Sequence, residues 1–192
     1  MKSIREILIS ALALTLIAGG VTAALAGTNA LTKGPIRENT EKAEAEARQS
    51  VIPDKDAVVD GNPKTLQVGE EEINYYIATK DGETVGYIFT ANSVGKSSGL
   101  VVMTGVDTTG KVCGVKIVEQ NETAGYVKKV EKDKNVKVDD DKFFNRIKVT
   151  VEKLDSVEPV SGATKTSNGI KKAVKQALEW YELIPKGASA NE

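Results

Sequence analysis

The run Ser161-Gly162-Ala163-Thr164-Lys165-Thr166-Ser167 sets hydroxyl side chains around a glycine and an alanine immediately before a helical pattern. Ile170, Ala173, Val174, Ala177, Leu178 and Tyr181 follow at the spacing of one helix face, Lys171, Lys172, Lys175, Gln176 and Glu179 take the other, and Pro185 closes the segment. A helix start offers free backbone N–H groups and the positive end of the helix dipole. Two readings fit. Serine and threonine at that place can cap the helix, with Thr166 or Ser167 as candidates. Alternatively, the free amides can hold a phosphate, Gly162 and Ala163 letting the backbone approach it, and a threonine hydroxyl at that place can carry a phosphoryl group as an ester. Lys165, Lys171 and Lys172 are either a clamp on such an anion or ordinary residues of a solvated helix face.

The rest of the composition narrows the chemistry. No histidine is present, which removes the commonest general base and metal ligand, so activating such a hydroxyl would need another enzyme or a nearby carboxylate. One cysteine, Cys113, lies in a strand-like run; it permits neither an internal disulfide nor a thiolate metal cluster and reads as a small buried residue. The formal net charge of −1 carries no basic field of the kind that attracts nucleic acid. Redox chemistry, if any, must come from a cofactor.

Several elements must position this segment. Ile7–Ala26 is uncharged and about twenty residues long, enough to span a bilayer, and Lys2 and Arg5 before it favour a cytoplasmic N-terminus with the main domain outside. A retained anchor fits the length better than a cleaved signal peptide, although Ala24-Leu25-Ala26 resembles a cleavage site. Leu31–Ser50, rich in Ala, Glu, Lys and Arg, reads as a solvated helical stalk ended by Pro53. Asp81-Gly82 between Ile73–Lys80 and Thr84–Ala91 signals a β-hairpin, and Thr108-Thr109-Gly110 between Leu100–Asp107 and Val112–Glu119 signals a second. Asp139–Ile147 suggests a short helix with Phe143, Phe144 and Ile147 on its apolar side, and Trp180 and Tyr181 read as core or docking residues. The expectation is an α+β chain: residues 1–6 cytoplasmic, 7–26 an anchor, 27–65 a stalk, 66–185 an antiparallel sheet of at least four strands packed with helices, and 186–192 a tail.

The heptapeptide and the helix after it resemble the flavinylation motif of the FMN-binding domain family. That family includes the G subunit of the Rnf electron-transport complex and the C subunit of the sodium-translocating NADH:quinone oxidoreductase. Residues 117–126, containing Glu122-Thr123-Ala124-Gly125-Tyr126, resemble the family's Glu-Thr-Pro-Gly-Leu segment, with Ala124 and Tyr126 in place of Pro and Leu. The hairpin over 100–117 is the third matching element, and Glu158-Pro159 stands where an Asp usually precedes the motif.

The resemblance implies FMN joined to Thr164 through a phosphoester made by a separate flavin transferase that uses FAD. It further implies contacts from Ser161, Gly162, Ala163 and Thr166 around the phosphate and from Glu122, Thr123 and Gly125 around the isoalloxazine. On the residues alone, Glu122-Thr123 is equally an ordinary strand-end turn. The implied role is an electron-relay subunit of an ion-translocating ferredoxin:NAD+ oxidoreductase in the cytoplasmic membrane, working with other membrane subunits and without a substrate-converting site of its own. The short chain fits the Rnf G subunit better than its longer counterpart in the quinone enzyme. A reading of another class, an anchored binding or sensory ectodomain without flavin, requires the motif to be only a helix cap.

Overall fold

The computed structural model describes residues 4–96, 99–122, 124–132 and 142–185, and the chain divides into two compact units, Met1–Ala43 and Glu44–Glu192. The first unit holds most of helix α1 (Ile4–Ser50). Its apolar side chains, among them Leu8, Leu12, Leu16 and Leu25, are exposed, and it is long and apolar enough to cross a membrane. Such a surface is unfavourable in water and suited to lipid.

The second unit is built on a six-stranded antiparallel sheet of β1 (Val58–Val59), β2 (Lys64–Val68), β3 (Glu71–Lys80), β4 (Glu83–Ser93), β5 (Leu100–Asp107) and β6 (Val112–Gln120). Its order is β1-β3-β4-β5-β6, with β2 also paired to β3. Both expected hairpins form. Asp81 and Gly82 take φ of 52° and 85°, the left-handed pair that a tight hairpin turn requires. In the second turn the Asp107 carboxylate accepts hydrogen bonds from the amides of Thr109 and Lys111 at 2.8 and 3.1 Å.

Helix α5 (Thr164–Glu182) lies on one face of the sheet. Its predicted stripe of Ile170, Ala173, Val174, Ala177 and Leu178 is buried with Phe89, Val102 and Val106 of the strands, and Trp180 completes this core against Phe89. Burying a side chain the size of Ile170 or Leu178 contributes about 1.5–3 kcal/mol. Three shorter helices frame this layer: α2 (Ala124–Lys132), α3 (Phe143–Arg146) and α4 (Val151–Leu154). The short helix expected over 139–147 forms as α3, with Phe143 and Ile147 buried; residues 139–141 lie outside the described ones, as does the 186–192 tail. Helix α2 had no clear signal, because only Val127 and Val130 of its single apolar turn are buried.

The opposite face is covered by the end of the segment expected to be a solvated stalk. Ala47, Val51, Ile52 and Ala57 are buried against Ala78, Ile88 and Met103. Paired Gly105 and Gly114 make this docking possible. A Cβ at Gly114 would stand 2.6 Å from the Val51 Cα, and one at Gly105 would stand 3.0 Å from the Val51 carbonyl carbon. Backbone therefore lies directly on backbone, a contact no alternation of apolar residues announces. Cys113 beside this seat donates its S–H to the Val51 carbonyl at 3.4 Å, and burial pushes its thiol pKa up to about 11.

Gly114→Ala is expected to destabilise the second unit by about 1–3 kcal/mol through overpacking, read as an earlier unfolding midpoint of the full chain in detergent. Alkylation of Cys113 requires the thiolate, so its rate in the folded protein should be very slow at pH 8 and rise about tenfold per pH unit until near 11. Rapid alkylation at pH 8 without unfolding would contradict this burial.

Candidate functional site

Helix α5 begins at Thr164 with Ala163 as its N-cap residue, and no side chain caps it. The two hydroxyls that the sequence offers as caps are turned inward. Ser167 Oγ accepts the Val160 N–H and donates to the Ala163 carbonyl, both at 3.1 Å, which folds the preceding loop back onto the helix. Thr166 is fully buried and donates its hydroxyl to Glu122 Oε2 at 3.1 Å. The expected cap is therefore replaced by inward anchors. Gly162 immediately before takes φ of 74°, a left-handed conformation that favours glycine, and Thr164 is exposed at the first helical position.

Glu122 ties three segments together. Its side chain is only 6% exposed, and a Cβ at Gly95 would stand 2.7 Å from its Oε1. A Cβ at Gly169 would stand 2.8 Å from the Val94 carbonyl. The β4–β5 loop, the end of β6 and the first turns of α5 thus interlock through two glycines and one buried carboxylate. The Thr166 hydroxyl satisfies one of the buried Glu122 oxygens, and a buried polar group is costly unless it is hydrogen-bonded.

Of the residues expected to surround an anion, Ser161, Gly162, Ala163, Thr164 and Thr166 come together at the helix start. A small cavity of about 180 Å³ is lined by Gly162, Ala163, Thr164, Lys165 and Thr166 together with Lys96 and Tyr126. It adjoins, at Gly162, a groove of about 600 Å³ between Val160-Ser161-Gly162 and the α2 residues Gly125, Lys128, Lys129 and Lys132. Gly125 is therefore at the site, Glu122 lies beneath it, and Thr123 falls outside the described residues.

The cations differ from those the sequence suggested. Lys165 lines the cavity, but Lys171 donates to the carbonyls of Asp155 and Val157 at 3.1 and 2.7 Å and thereby fastens the α4–α5 connection. Lys96 and Lys129 arrive instead from the β4–β5 loop and from α2. Lys96 Nζ donates to the Tyr126 hydroxyl and lies 3.9 Å from its ring centroid; Lys129 Nζ is 5.6 Å from the same centroid. The Lys96 hydrogen bond, with both positive charges, holds the Tyr126 phenol below its ordinary pKa. These residues are distant in sequence from the motif, so no local pattern could have placed them. Trp180 is a core residue, 8% exposed, in keeping with its reading. No cluster with metal-ligand character occurs among the described residues.

Residues 95–179 match the FMN-binding domain family, a span that includes every residue of the site, and residues 1–51 match the RnfG N-terminal region. The chain is 28% identical over 189 residues to the G subunit of the Na(+)-translocating ferredoxin:NAD(+) oxidoreductase complex of Acetobacterium woodii, covering 91% of each. It is 32% identical over 116 residues to the G subunit of the proton-translocating ferredoxin:NAD(+) oxidoreductase complex of Clostridium ljungdahlii, covering 59% of this chain and 63% of that one. The G subunit of the ion-translocating oxidoreductase complex of Escherichia coli O157:H7 is 26% identical over 205 residues, covering 98% and 96%.

Glu122→Ala should destabilise the second unit by about 1–3 kcal/mol, because it leaves the buried Thr166 hydroxyl without this acceptor. Thr166→Val should offset part of that loss in the double variant, so that the two effects on the unfolding midpoint are less than additive. Strict additivity would show that the two side chains do not act together.

Proposed function

The chain belongs to the RnfG family and contains an FMN-binding domain, and from that premise we propose that it carries FMN as a phosphoester on Thr164. In this reading it relays electrons as one subunit of an ion-translocating ferredoxin:NAD+ oxidoreductase complex. The observation that supports the site most directly is an exposed threonine hydroxyl at the first position of a long helix that no side chain caps.

The residues suit the group. The free amides of the first turn and the dipole of α5 favour a phosphate at Thr164, and Gly162 places no side chain in its approach. The cavity and groove that meet at Gly162, about 180 and 600 Å³, together reach the size of ordinary cofactor sites. Ser161 and Gly125 form the groove's walls, and Glu122 supports the floor through Thr166. When bound, FMN supplies one- and two-electron transfer; the chain's part is to hold and orient it.

Attachment needs outside help. The sequence has no histidine, and the Glu122 carboxylate is buried and hydrogen-bonded to Thr166 rather than to Thr164. A flavin transferase would therefore activate the hydroxyl for attack on the FMN phosphate of FAD, forming the threonyl ester as the pyrophosphate bond breaks and AMP leaves. The apolar part of α1 holds the chain in the cytoplasmic membrane, with Lys2 and Arg5 keeping the N-terminus inside and the flavin domain outside. There it exchanges electrons with other membrane subunits of the complex.

Expression of the full chain with a flavin transferase and the export machinery should give a denatured band that fluoresces under ultraviolet light. Thr164→Ala should abolish that signal completely, and Thr164→Ser, which keeps a hydroxyl, should retain it at least in part. Undiminished covalent fluorescence in the alanine variant would contradict the assignment.

A further inference from the structure

We propose that Lys96 and Lys129 form a clamp that reads the phosphate of the flavin before and after its attachment beside Thr164. This rests on the Thr164 reading and adds to it the residues that make the site selective for a phosphorylated flavin.

The clamp is assembled from two elements outside the motif. Lys96 comes from the β4–β5 loop and Lys129 from α2, and their ammonium groups stand 3.9 and 5.6 Å from the centroid of one ring, that of Tyr126. Lys96 lines the small cavity together with Thr164. Lys129 overlooks the same loop: its Nζ would be 3.4 Å from a Cβ at Gly162. The two cations therefore come from two elements to the loop and cavity that hold Thr164.

Charge balance favours an anion there. Among the described residues no carboxylate forms an ion pair with Lys96 or Lys129, whereas Lys80 and Lys175 are paired with Asp54 and Asp155. Glu122, the acidic group beneath this loop, is buried and bonded to Thr166. Lys165 lines the same cavity, and Lys128 and Lys132 line the adjoining groove, in a chain whose net charge is −1. Cations gathered on one small site repel one another, and a phosphate with several acceptor oxygens relieves that repulsion while also taking the free amides of α5.

Tyr126 is the positioning residue. Its hydroxyl accepts a hydrogen bond from Lys96 and its ring attracts both ammonium groups, so it holds two flexible side chains near one ring. Lys171, fastened to the carbonyls of Asp155 and Val157, takes no part.

The test uses the full chain in detergent, made without a flavin transferase so that Thr164 is free. Titrations with FMN and with riboflavin, which lacks the phosphate, are followed by flavin fluorescence anisotropy at low ionic strength. The wild-type protein should bind FMN at least about tenfold more tightly than riboflavin, and salt should weaken that preference. Lys96→Gln/Lys129→Gln should abolish it, and Lys116→Gln/Lys153→Gln, which removes the same charge elsewhere, should leave it. Equal affinity of the wild type for the two flavins, or a preference that survives the Lys96→Gln/Lys129→Gln change, overturns the clamp. Intact mass after co-expression with a flavin transferase separates this from the attachment reading. Wild-type protein that gains FMN yet shows no phosphate preference refutes the clamp alone. Protein that never gains FMN but loses its preference in the double variant supports the clamp and refutes the ester.

Discussion

Helix α5 starts without a side-chain cap because its N-cap residue, Ala163, carries no side-chain oxygen and the neighbouring Thr166 and Ser167 hydroxyls are engaged beneath it, and the rest of the site depends on that arrangement. Ser167 draws the Val160 amide back to the helix, and Thr166 is held by the buried carboxylate of Glu122. With these side chains directed inward, the positively polarised first turn faces Thr164 and the adjoining grooves. An ordinary cap would contribute about 1 kcal/mol to helix stability, so leaving it out is a local cost. That cost is offset by the stripe from Ile170 to Leu178, which is fully packed on the sheet.

The sheet gives this helix a rigid support from both sides. One face carries α5, and the other receives the backbone of Val51 on a seat of paired glycines, Gly105 and Gly114. The β4–β5 loop then reaches over the edge of α5, where Gly95 and Gly169 allow close approach and Glu122 fills the space between. A site proposed to hold a cofactor in one orientation is served by this interlock, since its surroundings come from three segments in close contact.

Much of this was legible in the sequence, for reasons that differ by element. Asp81-Gly82 specified its hairpin because few other residue pairs accept two left-handed conformations. The spacing from Ile170 to Tyr181 specified α5 because a single apolar stripe on a long helix has little alternative but to pack. The motif around Thr164 was visible as a helix start. The inward turn of Thr166 was not, since its partner Glu122 lies 44 residues away. Lys96 and Lys129 were equally hidden: each is an ordinary surface lysine until the β4–β5 loop and α2 meet around Tyr126. The docking of residues 47–57 escaped notice because glycines that receive a backbone leave no apolar pattern, and the surrounding Glu, Lys and Arg read as solvent-facing.

The central claim is a covalent bond between one hydroxyl and the phosphate of a flavin. Peptide mapping by mass spectrometry of the protein purified from its native membranes addresses it most directly. The account predicts that the peptide containing Thr164 carries the added mass of an esterified FMN and that fragmentation places it on that residue. A native peptide of unmodified mass, or a flavin located on Ser161, Thr166 or Ser167 instead, would contradict it.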